Sequence, residues 1–321
     1  MNMERILASD IGGTTCKMGV FTPELELLHK WEIPTDISDG GERILENIHQ
    51  SFLSEGDRLG YSREDIIGTG LGVPGPVDFN NGILNGAINL NWTHRKPIAA
   101  EFEALSGIRA IVDNDANVAA LGEQFKGAGM GHKDVVMVTL GTGVGGGVVS
   151  NSLLIHGHGG AAGEIGHLLV DYDQRFQCNC GKKGCLETVA SATGMKNLAL
   201  HYYSGSKDTR LSREIENDTV SAKMIVEAAQ EGDALGLQVV DEVARYIAIA
   251  LSHISAVTNP KYFIIGGGVS RAGRILTDRI EQHYRPITFP PAYENTEIVM
   301  AELGNDAGIY GAARLVRQYL T

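Results

Sequence analysis

The chain has 321 residues, which at about 150 residues per domain suggests two domains, and its 43% hydrophobic content supplies a large core and excludes global disorder. Lys and Arg number 27 against 39 Asp and Glu, a net charge of −12 with no dense basic run, so nucleic-acid binding is not expected. The overall field cannot attract an anionic cofactor, so any phosphate site must work locally, through aimed backbone N–H groups, helix ends or a metal.

The chain opens on a strand pattern at Ile6 to Ser9, and Glu4 and Asp10 flank this apolar run, unlike a signal peptide. No stretch supplies the roughly 20 apolar residues of a membrane span, so a cytoplasmic location is expected. A glycine turn, Asp10-Ile11-Gly12-Gly13-Thr14-Thr15, leads into a second strand at Lys17 to Phe21. Helical spacing follows at Ile44, Leu45, Ile48 and Phe52 and is expected to end near Gly56. A strand over Ile66 to Val73 stops at Pro74-Gly75-Pro76, and Pro97 and Gly107 bracket another helix. A strand at Ile108 to Val112 then delivers Asp113-Asn114-Asp115-Ala116-Asn117 at its carboxyl end and the start of a helix, the edge where ligands sit in open α/β sheets.

The opening pattern then returns. Val135 to Leu140, Gly141-Thr142-Gly143-Val144-Gly145-Gly146-Gly147 and Val148-Val149 are again strand, glycine turn, strand. Two copies about 130 residues apart point to a duplicated α/β core with one phosphate loop in each half. Gly141, Gly143 and Gly146 also satisfy the G-x-G-x-x-G dinucleotide fingerprint, but that motif needs a helix after the glycines, and here a strand follows. The second half continues with a long helix from about Asp233 to Val257, a strand at Tyr262 to Ile265 ending in Gly266-Gly267-Gly268, and a final helix from Asn305 to Leu320. The chain contains 41 glycines, 15 of them between Gly127 and Gly184, a concentration that brings backbone close to something.

Cys178, Cys180 and Cys185 place three thiols within eight residues, spacing that indicates a metal such as Zn²⁺ in a reducing compartment. The fourth ligand is open among His156, His158 and His167, with His167 leading because it leaves the glycine-rich stretch towards the cysteines. With four protein ligands the metal would be structural. Cys16 stands apart as a packed thiol. Asp10, at the mouth of the first glycine turn, is a candidate carboxylate for Mg²⁺ or its waters. Asp115, Glu164 and Glu187 are acids of the kind a polyhydroxy substrate needs, able to accept several hydroxyl hydrogen bonds and, in one case, a hydroxyl proton.

As a set, Asp10-Ile-Gly-Gly-Thr-Thr15, Gly72-Val-Pro-Gly-Pro-Val77, Asp113-Asn-Asp-Ala-Asn117, Leu140-Gly-Thr-Gly-Val-Gly-Gly-Gly147, Gly163-Glu-Ile-Gly-His167 and Cys178-Asn-Cys-Gly-Lys-Lys-Gly-Cys-Leu-Glu187 resemble the ROK family of repressors, open reading frames and sugar kinases, and most of all its glucose-phosphorylating members. The resemblance implies a two-domain α/β fold of the actin-like ATPase (ribonuclease H-like) type. The expected domains are 1–117 plus 305–321 and 118–304, with a catalytic cleft between them. It further implies transfer of the γ-phosphoryl of MgATP to the 6-hydroxyl of glucose, and a homodimer or higher homo-oligomer.

Under that resemblance Asp115 would be the general base, and Gly75, Asn114, Glu164, His167 and Glu187 would contact the sugar. Asp10, Gly12, Gly13, Thr14, Gly141, Thr142, Gly143, Gly145 and Gly146 would surround the phosphates and Mg²⁺, and Gly267 and Gly268 would lie near the nucleoside. His167, Cys178, Cys180 and Cys185 would hold structural Zn²⁺. Other acceptors (N-acetylmannosamine, N-acetylglucosamine, fructose) and polyphosphate as donor are alternatives. A ROK-type transcriptional regulator is a further one, against which stand the nine residues before Asp10, too few for a helix-turn-helix, and the acidic balance.

Overall fold

The computed structural model describes residues 4–205 and 208–321. Its first sheet runs β3-β2-β1-β4-β7, built from β1 (Arg5–Ile11), β2 (Thr15–Phe21), β3 (Leu27–Pro34), β4 (Ile66–Val73) and β7 (Ala110–Asn114). β1, β2 and β3 form an antiparallel meander, whereas β4 and β7 join parallel to β1. A small hairpin of β5 (Val77–Asp78) and β6 (Ile83–Leu84) follows the Pro-Gly-Pro stop.

The second sheet repeats this order as β10-β9-β8-β11-β12, from β8 (Val135–Leu140), β9 (Val144–Ser150), β10 (Leu153–Leu154), β11 (Tyr262–Gly266) and β12 (Glu297–Met300). Again the third strand of the meander lies at one edge, and two parallel strands follow the first. The internal repeat expected from the glycine turns is therefore a repeat of sheet topology, with each turn joining the first two strands of its sheet.

Helix α1 (Ile44–Leu59) runs one turn past its expected end. Gly56 lies inside it and makes room for the Tyr61 ring, while Gly60, left-handed at φ 71°, caps it and donates its N–H to the Gly56 carbonyl at 2.8 Å. Helix α2 (Ile98–Ser106) starts after Pro97 and ends at left-handed Gly107, as its punctuation predicts. Helix α3 (Asp115–Phe125) begins directly at the end of β7.

In the second half α4 (Glu187–Ala190), α5 (Ala192–Tyr202), α6 (Ser212–Glu216) and α7 (Ala222–Gln230) precede the 25-residue α8 (Ala234–Thr258), whose N-cap Asp233 accepts from the Gly236 N–H. Helices α9 (Arg274–Ile287), α10 (Pro290–Tyr293) and α11 (Ala307–Tyr319) complete the chain. Among the described residues no helix is long and apolar enough to cross a membrane.

Two compact units emerge: one of the chain up to Gly131 with Gly147–Ala162 and Leu303–Thr321, the other of His132–Gly146 and Gly163–Glu302. The cut expected after residue 117 thus moves to residue 131, and residues 147–162 join the first unit. The reason is close packing around α3. A Cβ on Gly122 would collide with the Ala307 carbonyl and one on Gly311 with that of Val118, so α3 and α11 touch backbone to backbone. Gly147 likewise leaves room for Ala120. The core of the first sheet gathers Leu7, Ile11, Met18, Val20, Leu71, Val73 and Val112 with Ile48 and Phe52 of α1 and Phe102 of α2.

Candidate active site

In the first unit, β7 hands its last residue directly to α3. Asn114, extended at φ −61° and ψ 144°, is the N-cap, and its side-chain oxygen accepts from the N–H groups of Ala116 (2.9 Å) and Asn117 (3.2 Å). Its amide donates to the Gly75 carbonyl at 3.0 Å. Gly75 sits at φ 103°, a conformation glycine allows, so the Pro-Gly-Pro turn and the Asn-Asp turn are joined through a backbone carbonyl. Asp115 is the first helical residue and its Oδ1 accepts from the Ala116 N–H at 2.8 Å. A carboxylate there is favoured in its charged form by the helix dipole.

Asp10 lies near the end of β1, 4.0 Å from the Lys17 ammonium on the paired strand. Burial pushes its carboxyl up to about 6, against the pull of Lys17, and the charge of Asp115 adds to the rise. Space for the Asp10 carboxylate comes from Gly308 in the first turn of α11, where a Cβ would collide with it. Sequence reading gave Gly308 no role, and its one signal is a glycine in the first turn of an otherwise apolar-faced helix. In the glycine turn itself, Gly12 N–H donates to the Thr15 carbonyl (3.0 Å), so this amide closes the turn and is not directed at a ligand. Thr35 of the loop after β3 braces the same turn, its N–H donating to the Thr14 carbonyl and its hydroxyl to that of Gly12.

In the second unit the turn between β8 and β9 is shorter than its glycine run. Gly145 and Gly146 belong to strand β9, and Gly146 is buried against Ile165, where its missing side chain makes room for that packing. Gly141 N–H closes the turn onto the Gly143 carbonyl at 2.9 Å. Gly141, Thr142 and Gly268 share a cavity of ≈ 570 Å³ whose walls also include Lys223, Glu227, Gln230 and Arg271, none of which carries a motif in the sequence. Gly267, left-handed at φ 86°, packs under the Leu140 carbonyl next to this cavity.

The thiol cluster forms as the spacing predicts and selects His167. The ligand atoms of His167, Cys178, Cys180 and Cys185 all lie within 4.8 Å of one another, whereas His156 bonds Asp113 in the first unit. Cys180 Sγ is 3.7 Å from Cys185 Sγ, and Cys178 Sγ is 3.6 Å from His167 Nδ1. A tetrahedral Zn²⁺ with bonds of about 2.3 Å to sulfur and about 2.0 Å to nitrogen spaces two sulfurs about 3.8 Å apart and sulfur from nitrogen about 3.5 Å, so the donor set fits in kind and these two pairs fit in distance. Without a cation, burial pushes the Cys185 thiol up to about 12. Nδ1 of His167 faces the thiols, and Nε2 lies 3.9 Å from the Glu164 carboxylate in the same short turn. One ring thus has one nitrogen for a metal and one on the side of Glu164.

Glu187, at the start of α4, makes a contact with the glycine turn that sequence reasoning did not foresee. Its Oε2 accepts from the Val144 N–H at 3.1 Å, its Oε1 lies 3.8 Å from Cys178 Sγ, and a Cβ on Gly143 would collide with it. It connects the cysteine cluster to the glycine turn, and this connection spans 43 positions.

The description "ROK family" matches residues 6–319 of the sequence. The chain belongs to the ROK family. The ROK chain is 44% identical to the glucokinase of Halalkalibacterium halodurans over 310 residues, 96% of this chain and 94% of the relative. Its fold is similar to that of the ROK hexokinase of Thermus thermophilus (TM-score 0.82, 30% identity, 96% of each chain). It is also similar to that of a ROK family glucokinase from Streptomyces griseus in complex with glucose and AMPPNP (TM-score 0.76, 32% identity, 98% of this chain and 99% of that one). The fold is the two-domain actin-like ATPase fold of these sugar kinases.

Proposed function

We propose that this ROK chain is a glucokinase that transfers the γ-phosphoryl group of ATP to the 6-hydroxyl of glucose, with Asp115 as general base. The observation that carries the reading is the Asp115 carboxylate at the carboxyl end of β7 and the N-terminus of α3, in a chain similar over 96% of its length to a protein named glucokinase. Phosphoryl transfer asks the protein for positioning and charge stabilisation more than for covalent chemistry. Asp115 would accept the proton of the sugar hydroxyl as its oxygen attacks phosphorus. Asn114 and the Gly75 backbone would hold neighbouring hydroxyls.

On the donor side, Gly12, Gly13, Thr14, Gly141, Thr142 and Gly143 would border the phosphates, and the cavity lined by Thr142, Lys223, Gln230 and Gly268 would take the nucleoside. Asp10 would hold Mg²⁺ or its water shell, which supplies charge neutralisation to the phosphates when bound. Glu164 and His167 Nε2 would contact sugar hydroxyls. His167 Nδ1, Cys178, Cys180 and Cys185 would hold a structural Zn²⁺ that fixes this loop. Glu187 keeps a sugar contact as a secondary role, because its two oxygens already meet Val144 N–H and Cys178. A reducing cytoplasm, which keeps the three thiols as ligands, and a homo-oligomer complete the reading.

The test is a coupled assay of phosphate transfer from ATP and from polyphosphate across glucose, fructose, N-acetylglucosamine and N-acetylmannosamine. Glucose with ATP is expected to give the highest kcat/KM. Preference for an acetamido sugar would overturn the assignment of substrate, and zinc content with sedimentation reads the metal and the oligomer.

A further inference from the structure

Asp113 has no part in the reaction proposed above, yet both of its carboxylate oxygens are hydrogen-bonded. It is 1% exposed. Its Oδ1 accepts from the Asn114 N–H (2.7 Å) and from the Asn117 side-chain amide (2.9 Å), and its Oδ2 pairs with His156 Nε2 at 2.6 Å. An ionised carboxylate only accepts, so Nε2 carries the proton. His156 follows β10, 43 positions away in sequence, and its ring stacks on Phe79 with centroids 4.0 Å apart and planes at 14°. Phe79 in turn meets the Tyr319 ring at the end of α11, 5.0 Å away and edge-on. All four residues lie in the first compact unit.

We propose that His156 is a positioning residue for Asp115. It acts through Asp113, which pins the Asn114 N–H and the Asn117 amide on either side of the base. Within the turn the bonds are local: Asn114 caps Ala116 and Asn117. Two longer connections aim it, one from Asn114 to the Gly75 carbonyl and one from Asp113 to His156. The stack on Phe79 fixes the imidazole plane, so Nε2 has one direction in which to donate. Loss of that donor leaves a buried carboxylate oxygen without its strongest partner, and the turn must shift to recover one. A displacement near 1 Å at a reacting group lowers turnover by about 100-fold. This inference rests on Asp115 being the base.

Three variants separate the donor from the ring. His156→Gln places an amide nitrogen where Nε2 stood, His156→Asn reaches only as far as Nδ1, and His156→Phe keeps the stack on Phe79 but donates nothing. Steady-state kinetics with glucose and ATP are read beside hydrogen–deuterium exchange of the Asn114, Ala116 and Asn117 amides in the full-length protein. His156→Gln is expected within about threefold of the wild-type kcat, about half the barrier change of a tenfold step. His156→Asn and His156→Phe are expected to lose about 100-fold in kcat with KM for ATP unchanged, and to exchange these amides faster.

A role in packing alone would predict the reverse order, with Phe best tolerated. Wild-type kcat in His156→Phe, or equal kinetics and exchange in the Gln and Asn variants, overturns the proposal. If the Phe variant does not fold, the Gln and Asn pair still decides. Should Asp115→Asn itself retain turnover, the base assignment falls, and the exchange pattern of the His156 series still reports whether His156 orders the turn.

Discussion

The two glycine turns occupy the same place in two sheets of the same strand order, and they are held in different ways. The turn after β1 is braced within its own sheet region, by the Gly12 N–H onto Thr15 and by Thr35 donating twice to it. The turn after β8 is braced from outside, by Glu187 accepting from Val144 N–H at a position two residues after the last cysteine. Duplication supplied the scaffold, and what each half later contacts has set its task. The first turn carries a half-buried carboxylate, Asp10. The second is attached through Glu187 to a cluster of metal-ligand type.

The largest expected effect acts on the first half alone. Asp115→Asn removes the proton acceptor while keeping shape, and kcat is expected to fall by about 10²–10⁴-fold with glucose binding, KM for ATP and zinc content unchanged. Retained turnover in this variant would dissolve the assignment of the acceptor role to this turn. Cys180→Ser acts on the second half alone. Zinc content is expected to drop and KM for glucose to rise about 10–100-fold, the scale on which losing support of a metal site acts, through Glu164 and His167. Full zinc occupancy in purified Cys180→Ser removes Cys180 from the ligand set. Glu187→Gln is milder: the metal stays, but the bond from Val144 N–H weakens from charged to neutral, and KM for ATP should rise severalfold, about the effect of 1 kcal/mol. If KM for glucose moves and KM for ATP does not, Glu187 serves the sugar and not the turn.

Much of this was legible in the sequence because the signals are local. Strand-glycine-strand, Pro97 with Gly107, Asp233 before α8 and three cysteines in eight residues each encode their structure within a few positions. The readings that changed are those where a partner outside the local pattern decides what a residue does. Gly56 looked like a helix stop, but its missing Cβ admits Tyr61 and Gly60 is the cap. Gly146 looked like a phosphate glycine and is a contact for Ile165. The domain cut moved because Gly122 and Gly311, 189 positions apart, let α3 and α11 touch. Glu187 and His156 stood out in the sequence but their partners Val144 and Asp113 did not, and the cavity wall from Lys223 to Gln230 has no signature, since a single carboxylate or imidazole gives no hint of its partner before the chain is folded.

The smallest effect sharpens the comparison from the side of stability. Burial raises the Asp10 carboxyl from its ordinary 3.8 to about 6, so between these values the folded chain holds a proton that the unfolded chain has released. The contribution of Asp10 to stability then declines as pH rises from about 4 to about 6 and levels off above, the opposite slope to an acid held by a salt bridge. The penalty at neutral pH is at most about 3 kcal/mol in the absence of divalent cation. Asp10→Asn is isosteric and carries no charge to bury. With EDTA present, it is expected to melt a few degrees above wild type at pH 7.5, at about 2–4 °C per kcal/mol, and to converge with it near pH 4. Mg²⁺ added at pH 7.5 should raise the wild-type melting temperature and leave the variant unmoved. A variant less stable than wild type at every pH would mean that the Lys17 and Gly308 surroundings stabilise the Asp10 charge. The first turn would then be held in part by the Lys17–Asp10 ion pair, where the second is held by a hydrogen bond from the Val144 N–H to Glu187.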